Sequence, residues 1–241
     1  MSSFRLFKKI AGKKAAALKD GLFGIPTGNP TRVDADAPLG LHLGGKVQLD
    51  QTPLILGGDN LVIEPYAPEM VISAMGTVSW AGNTVYRFYL EDDDDNHAML
   101  QIVPDAKSTR PDAISECRIF VSHDTIYPGS SEDWDFWLNE ESGLLGWRGF
   151  AIDGMEYARM WGDRNQERFT PVIFTETIAS DPVAADPDVV EHACMLYSRL
   201  ISKDPELAEF ALVSVESDND ETAIHIMLGL NLNPISVKTI Y

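Results

Sequence analysis

Between Thr84 and Val103 the apolar positions fall into two runs around an acidic break. Val85-Tyr86-Arg87-Phe88-Tyr89-Leu90 is rich in β-branched and aromatic residues and predicts a strand. Residues 91–96 form a polar, acidic break, and 97–103 form a second apolar run ended by Pro104. Two such runs around a short polar connection predict a hairpin. The rest of the chain reads as further strands and two helices that cover it.

Upstream, Leu39, Leu41 and Leu43 alternate with Gly40, His42 and Gly44, and Val47 and Leu49 continue the pattern, which predicts a strand bent at its glycines. Residues 52–56 and 60–63 flank Gly57-Gly58-Asp59 and predict a hairpin; with no Lys-Ser/Thr after it, the Gly pair is not a phosphate loop. Residues 70–80 and 114–122 predict strands, the latter with Ile119 and Val121 on one side and Arg118 and Phe120 on the other. A short helix starts near Ser130 or Ser131, with Trp134, Trp137 and Leu138 on one face. Residues 150–152 and 155–161 flank Asp153-Gly154, a strong hairpin signal, and 168–178 predict a strand. After the proline-marked loop 181–187, a second helix is expected from Asp188, with Val189, Ala193, Leu196, Tyr197 and Leu200 as its apolar stripe. Strands at 210–216 and 222–230 and an edge strand at 235–240 complete a mainly antiparallel β-sheet of the α+β class with two packed helices and an N-terminal amphipathic helix.

That N-terminal helix is expected over 3–19, where Phe4, Phe7 and Ile10 recur at helical spacing and Arg5, Lys8, Lys9 and Lys13 fill the polar side. A basic helix of this pattern suits an anionic bilayer interface, each cation contributing on the order of 1 kcal/mol. The expected organisation is a basic arm over 1–23, a flexible linker over 24–37 and a β-rich domain over 38–241, with a sub-domain break near 181–187. Docking of the arm on its own domain or on a partner is the competing expectation.

The formal net charge of −18 changes the picture. Residues 1–20 carry a net +5 and the remainder a net −23. The acidic body repels nucleic-acid phosphates, which argues against a nucleic-acid partner. A linker of this length spans roughly 20 Å as a flexible coil. That exceeds the Debye length of about 8 Å, so the arm is screened from the body. The basic start lacks the apolar stretch of a secretory signal and no run approaches a membrane span, so a cytoplasmic location is expected. Cys117 and Cys194 read as two buried thiols in a reducing compartment.

Candidate chemistry is sparse. Asp92-Asp93-Asp94-Asp95-Asn96 imitates the opening of a calcium loop, but His97 and Val103 stand where that loop needs glycine and glutamate. No metal site or cofactor is expected there. His123-Asp124 suits a general-base pair but lacks a nucleophile in a recognisable elbow. Glu156 and Glu176 are candidates for a carboxylate pair whose separation sequence does not give. Glu191, His192 and Cys194, placed on a helix, would point in different directions.

The segments Pro-Leu-Gly-Leu-His-Leu-Gly-Gly (38–45), Arg-Phe-Tyr-Leu-Glu-Asp (87–92), Asp-Thr-Ile-Tyr-Pro (124–128), Tyr-Ala-Arg-Met-Trp-Gly (157–162) and Phe-Thr-Glu-Thr (174–177) carry a resemblance, as does Ala193-Cys194-Met195-Leu196-Tyr197. In their order the chain resembles the YjfK-like family of bacterial domains of unknown function. The resemblance implies no catalytic residues. It implies a cytosolic companion of a phage-shock-type membrane-stress protein.

The expected function is therefore a non-enzymatic accessory or adaptor protein at the inner membrane surface, with a protein partner and an anionic lipid surface as its contacts. Phe4, Phe7 and Ile10 would insert, and Arg5, Lys8, Lys9 and Lys13 would meet lipid charge. The alternatives are an acidic protein-binding module without lipid contact and a hydrolase built on Glu156, Glu176 or His123-Asp124.

Overall fold

The structure is a computed structural model that describes residues 32–80, 82–108, 110, 113–183, 187–218 and 221–240. Phe4, Arg5, Phe7, Lys8, Lys9, Ile10, Lys13 and the expected N-terminal helix lie outside the described residues, as does most of the 24–37 stretch.

The central hairpin forms as its two apolar runs predict, from β3 (Asn83–Glu91) and β4 (His97–Pro104). Around it run β1 (Lys46–Gln48), β2 (Glu69–Trp80), β5 (Ile114–Ile126), β6 (Gly149–Ile152), β7 (Met155–Arg159), β8 (Val172–Ala179), β9 (Asp188–Lys203), β10 (Glu206–Ser217), β11 (Thr222–Asn231) and β12 (Lys238–Ile240). Every strand pairing is antiparallel.

The pairings close on themselves. Following neighbours from β2 through β3, β4, β5, β11, β10 and β9 leads to β8, which pairs back to β2. These eight strands make a closed barrel. Two long strands, β2 and β9, each serve two neighbours on one edge. β2 meets β1 over Glu69–Val71 and β8 over Met75–Val78. β9 meets β8 over Asp188–Cys194 and then β7 at Tyr197 and Ser198. The pairs β1–β12 and β7–β6 thus flank the barrel as wings. Register shifts leave Ser73 of β2 and His123 of β5 as extra residues opposite β3 and β11, and these bulges bend β2 and β5, as closure requires.

Except along the outer side of β8, which is exposed, both faces of the wall are largely buried, and each has its own cluster. The inward face carries Tyr89, Met99, Phe120, Phe174, Cys194 and Phe210. Side chains meet across it: the Arg118 guanidinium of β5 lies 4.5 Å from the centre of the Phe210 ring of β10. The outward face carries Phe88, Leu100, Ile119, Val213 and Leu228. It is covered by Leu41, Leu43, Val47, Ile63 and Tyr66 from the segment that precedes β2 and by Trp137, Leu145, Phe150 and Tyr157 from the connection between β5 and β8. Cys117 and Cys194 are buried free thiols, and burial pushes both up to about 12.

Several expectations need correction. The stripe beginning at Val189 is not helical: Asp188–Lys203 is strand β9, the longest in the barrel. Val190, His192, Cys194 and Leu196 face inward while Met195 and Tyr197 join the outer cluster, so the middle of the strand, Cys194–Tyr197, is apolar and buried without a period of two. The predicted hairpin at 52–63 is instead the short helix α1 (Thr52–Gly57) followed by a 3-10 turn, Gly58–Asn60. Pro53 in its first turn suits a helix start, and the Asp50 carboxylate accepts the Thr52 N–H at 2.9 Å. The other described helix, α2 (Ser131–Leu138), sits where expected, with a capping box between Ser130 and Asp133. Two short helices therefore accompany the sheet among the described residues, α2 as expected and α1 in place of the helix expected from Asp188. In 39–49 only Lys46–Gln48 pairs as a strand, although Leu41, Leu43, Val47 and Leu49 are all buried as the alternation implies.

The described end of the 24–37 stretch is anchored. Asp34 is buried, bonded twice by Arg32 at 2.7 Å and by the Leu43 N–H at 2.7 Å, and Val33 N–H donates to Pro182 O.

Candidate binding cavity

A cavity of about 240 Å³ opens at the barrel end where the β2–β3 hairpin meets the end of β4 and the starts of β5 and β8. Trp80, Trp161 and Phe174 form an aromatic wall: Trp80 meets Trp161 edge-on at 4.9 Å and Phe174 at 5.8 Å between ring centres. Val78, Val85 and Val103 supply aliphatic lining. Asn83 and the exposed Glu116 add polar groups, and Arg87 and Gln101 come from neighbouring inward positions of β3 and β4.

Arg87 is 4% exposed in a wall of apolar side chains, so its charge must be compensated. Its Nη1 donates to Glu176 Oε2 at 2.7 Å, and its Nε donates to Gln101 Oε1 at 3.1 Å. Glu176 lies on β8, and β2 runs between it and β3. The carboxylate crosses that strand because Gly76 stands in the way with no side chain; a Cβ there would lie 1.7 Å from Glu176 Oε1. The same oxygen accepts from the Tyr89 hydroxyl at 2.8 Å. Burial alone would push the Glu176 carboxyl up, but Arg87, with His192 and Tyr89, holds it down to about 2. Arg87 is correspondingly pulled down by burial and raised, on balance, by Glu176, so the pair is ionised.

The polar chain continues away from the cavity. His192 Nε2 lies 3.0 Å from Glu176 Oε2, though off the geometry of a hydrogen bond, and its Nδ1 lies 3.1 Å from Ser214 Oγ and 3.6 Å from Glu216. His225 stands 3.8 Å from Glu216. Ser, His and Glu in a row resemble a nucleophile relay, but Ser214, His192 and Glu176 are all buried inside the barrel, where the ion-pair network fills the space. The row is a charge-compensating network.

The residues singled out in the sequence fall elsewhere. Glu156 is exposed on β7, and Glu176 is buried on β8. Through their registers on β9 the two carboxylates stand roughly 30 Å apart, too far for joint acid–base work. His123 approaches Asp153 at 3.7 Å on the outer side of β5. Asp92 closes its own hairpin tip, accepting the Asp94 and Asn96 N–H groups and the Asn96 side chain. Among the described residues no group of histidine, cysteine and acidic side chains is arranged to hold a metal ion. Trp137 packs into the core against Phe150.

Glu176 was a candidate for the wrong partner; Arg87, Gln101, Trp80 and Trp161 were not candidates at all. Two signals pointed to them. Arg87 is a charge inside an apolar strand, at the period-two position shared with Val85 and Tyr89, and Gly76 interrupts a strand, which marks a close approach.

The fold is a closed antiparallel barrel with a cavity at one mouth. The chain belongs to a family described as a protein of unknown function (DUF2491), whose model matches residues 6–238. The match agrees with the expectation of an uncharacterised family and does not carry the YjfK name. No curated protein and no solved structure matches the chain significantly.

Proposed function

We propose that the protein is a non-enzymatic binding barrel that holds a small molecule in its mouth. The carrying observation is the juxtaposition of an aromatic wall with a buried, oriented arginine around about 240 Å³ of space. Such a combination of apolar area and a few fixed polar groups is how ligand sites are built. The lining supplies contacts and hydrogen bonds, and the Ser214–His192–Glu176 row that imitates a catalytic relay is sealed in the interior. The test is native mass spectrometry of protein purified from its own source, beside Val85→Trp, whose larger side chain fills the cavity. A small-molecule adduct present in the wild type and lost in the folded variant supports the reading. An adduct that persists unchanged in Val85→Trp refutes it.

A second reading concerns where the barrel works, and the division of charge favours it. A net +5 over residues 1–20 joined to a net −23 over the rest suits a tether to an anionic membrane, with Phe4, Phe7 and Ile10 inserting and Arg5, Lys8, Lys9 and Lys13 facing lipid charge. The barrel would then serve as an accessory at a membrane surface beside a membrane-stress partner. No helix among the described residues is long and apolar enough to cross a membrane. Co-sedimentation with vesicles containing anionic lipid should fall with salt and with removal of residues 1–20. Equal pelleting of both forms removes this reading and leaves the barrel's role untouched.

A further inference from the structure

The proposed binding role leaves the ligand's chemistry open, and the donors around the cavity narrow it. Arg87 engages Gln101 through Nε and Glu176 through Nη1, and among the described residues no acceptor bonds its Nη2. The Arg87 Nε bond also fixes the orientation of the Gln101 amide: its oxygen faces Arg87, so its NH₂ is the group left over, again with no protein acceptor among the described residues. Two adjacent donors, held by a buried ion pair, therefore border the same space.

Charge decides what they take. The positive charge of Arg87 is already matched by Glu176 at 2.7 Å inside the wall. A carboxylate arriving at Arg87 would add a second, unmatched negative charge to a buried site in a chain of net charge −18. An ammonium would meet the donors nose to nose. A neutral carbonyl accepts both hydrogen bonds with no charge to desolvate. Resting on the binding reading above, we infer that the cavity takes a small, flat, uncharged molecule. Its carbonyl oxygen accepts from Arg87 and Gln101, and its apolar body lies against Trp80, Trp161 and Phe174. The cavity volume, below the roughly 300 Å³ at which drug-sized sites begin, limits that body to one or two rings.

Three probes of one shape separate the possibilities: 2-naphthamide, 2-naphthoate and 2-naphthylmethylammonium. Titration of the full chain is followed by tryptophan fluorescence, since Trp80 and Trp161 are in the wall, and by saturation-transfer NMR of each probe. The amide is expected to bind at least about tenfold more tightly than either charged probe, a difference of one hydrogen-bonded group left unmatched or one charge buried. Gln101→Leu should weaken the amide about tenfold. Should that variant fail to fold, the ranking in the wild-type chain stands as the test. If the naphthoate or the ammonium binds as tightly as the amide, or if folded Gln101→Leu binds the amide unchanged, the carbonyl assignment is wrong while the cavity still binds. If none of the three binds, or binding survives Val85→Trp, the cavity reading fails together with it.

Discussion

Replacing Gly76 by alanine tests the central feature of the interior in one atom. The added Cβ would stand 1.7 Å from Glu176 Oε1, 2.7 Å from its Cδ and 3.1 Å from its Cγ. To restore van der Waals separation the carboxylate must retreat by at least about 1.5 Å. That retreat breaks the 2.7 Å contact to Arg87 Nη1 and the 2.8 Å bond from Tyr89. Separating a buried ion pair costs about 3–5 kcal/mol, because the abandoned charge stays out of water. The usual gain from Gly→Ala in an unstrained strand, about 0.5–1 kcal/mol, offsets a small part. A net loss of about 3 kcal/mol is expected, read as a shift in the urea midpoint at constant slope. The decisive comparison is the same substitution in a Glu176→Ala background. There the obstructing atoms are gone, and Gly76→Ala should be neutral or slightly stabilising, even though Glu176→Ala alone is costly. The coupling energy between the sites should therefore exceed about 2 kcal/mol. Additivity within about 0.5 kcal/mol would show that the glycine is not there to let the carboxylate through.

Acid should weaken the same pair. The folded carboxyl of Glu176 lies near 2 against an ordinary 4.5, so its contribution is complete above pH 4.5 and is lost as pH falls from 4.5 toward 2. The stability gap between wild type and Glu176→Gln should narrow by about 2 kcal/mol between pH 6 and pH 3, and a constant gap in urea titrations at the two pH values would contradict the assignment. On the outer face, Glu209 is fully buried and accepts from the Val62 and Ile63 N–H groups, the Tyr157 hydroxyl and Arg199 Nε. Glu209→Ala orphans all four donors and should cost about 3–5 kcal/mol by urea unfolding, with Glu209→Gln intermediate; a loss under about 1 kcal/mol would show that water replaces the carboxylate.

The parts of the fold that were legible in the sequence are those with one polar side or a turn of fixed chemistry. Asp153-Gly154 marked the β6–β7 hairpin because both residues adopt positive φ, 50° and 77°, which few pairs tolerate. The β10–β11 turn was visible for the opposite reason, a polar gap between two apolar runs. β9 was hidden because both faces of its middle, Cys194–Tyr197, are covered, which interrupts the alternation there and leaves spacings that also fit a helix. α1 was hidden because Pro-Leu-Ile-Leu suits a strand as well, and the proline and Asp50 decide the matter only once the chain direction is known. Closure of the barrel was not legible at all: it depends on β8 pairing with β2, nearly a hundred residues earlier, and no local pattern encodes a partner. The cavity, which exists only when that pairing forms, was illegible with it, although Arg87 and Gly76 each break a local rule for strands and so mark where tertiary structure overrides propensity.

Those two irregularities also bear on how the closing strand finds its place. The outer side chains of β8, Ile173, Thr175 and Thr177, are exposed, so the strand is held by its two ladders and by what it points inward: Phe174, Glu176 and Ile178. A slip of one residue would turn the exposed set inward and Glu176 outward. Thr175 and Thr177 are small enough to enter, and apolar contact alone would penalise the slip only mildly. Arg87 penalises it heavily, since its guanidinium would be left buried without a counter-charge, at about 3–5 kcal/mol. The ion pair adds little net stability over an apolar pair of the same volume. What it contributes is a difference between the right register and the nearest wrong one, and in this barrel the right register is the one that brings Phe174 to the cavity wall and leaves the Nη2 group of Arg87 to spare.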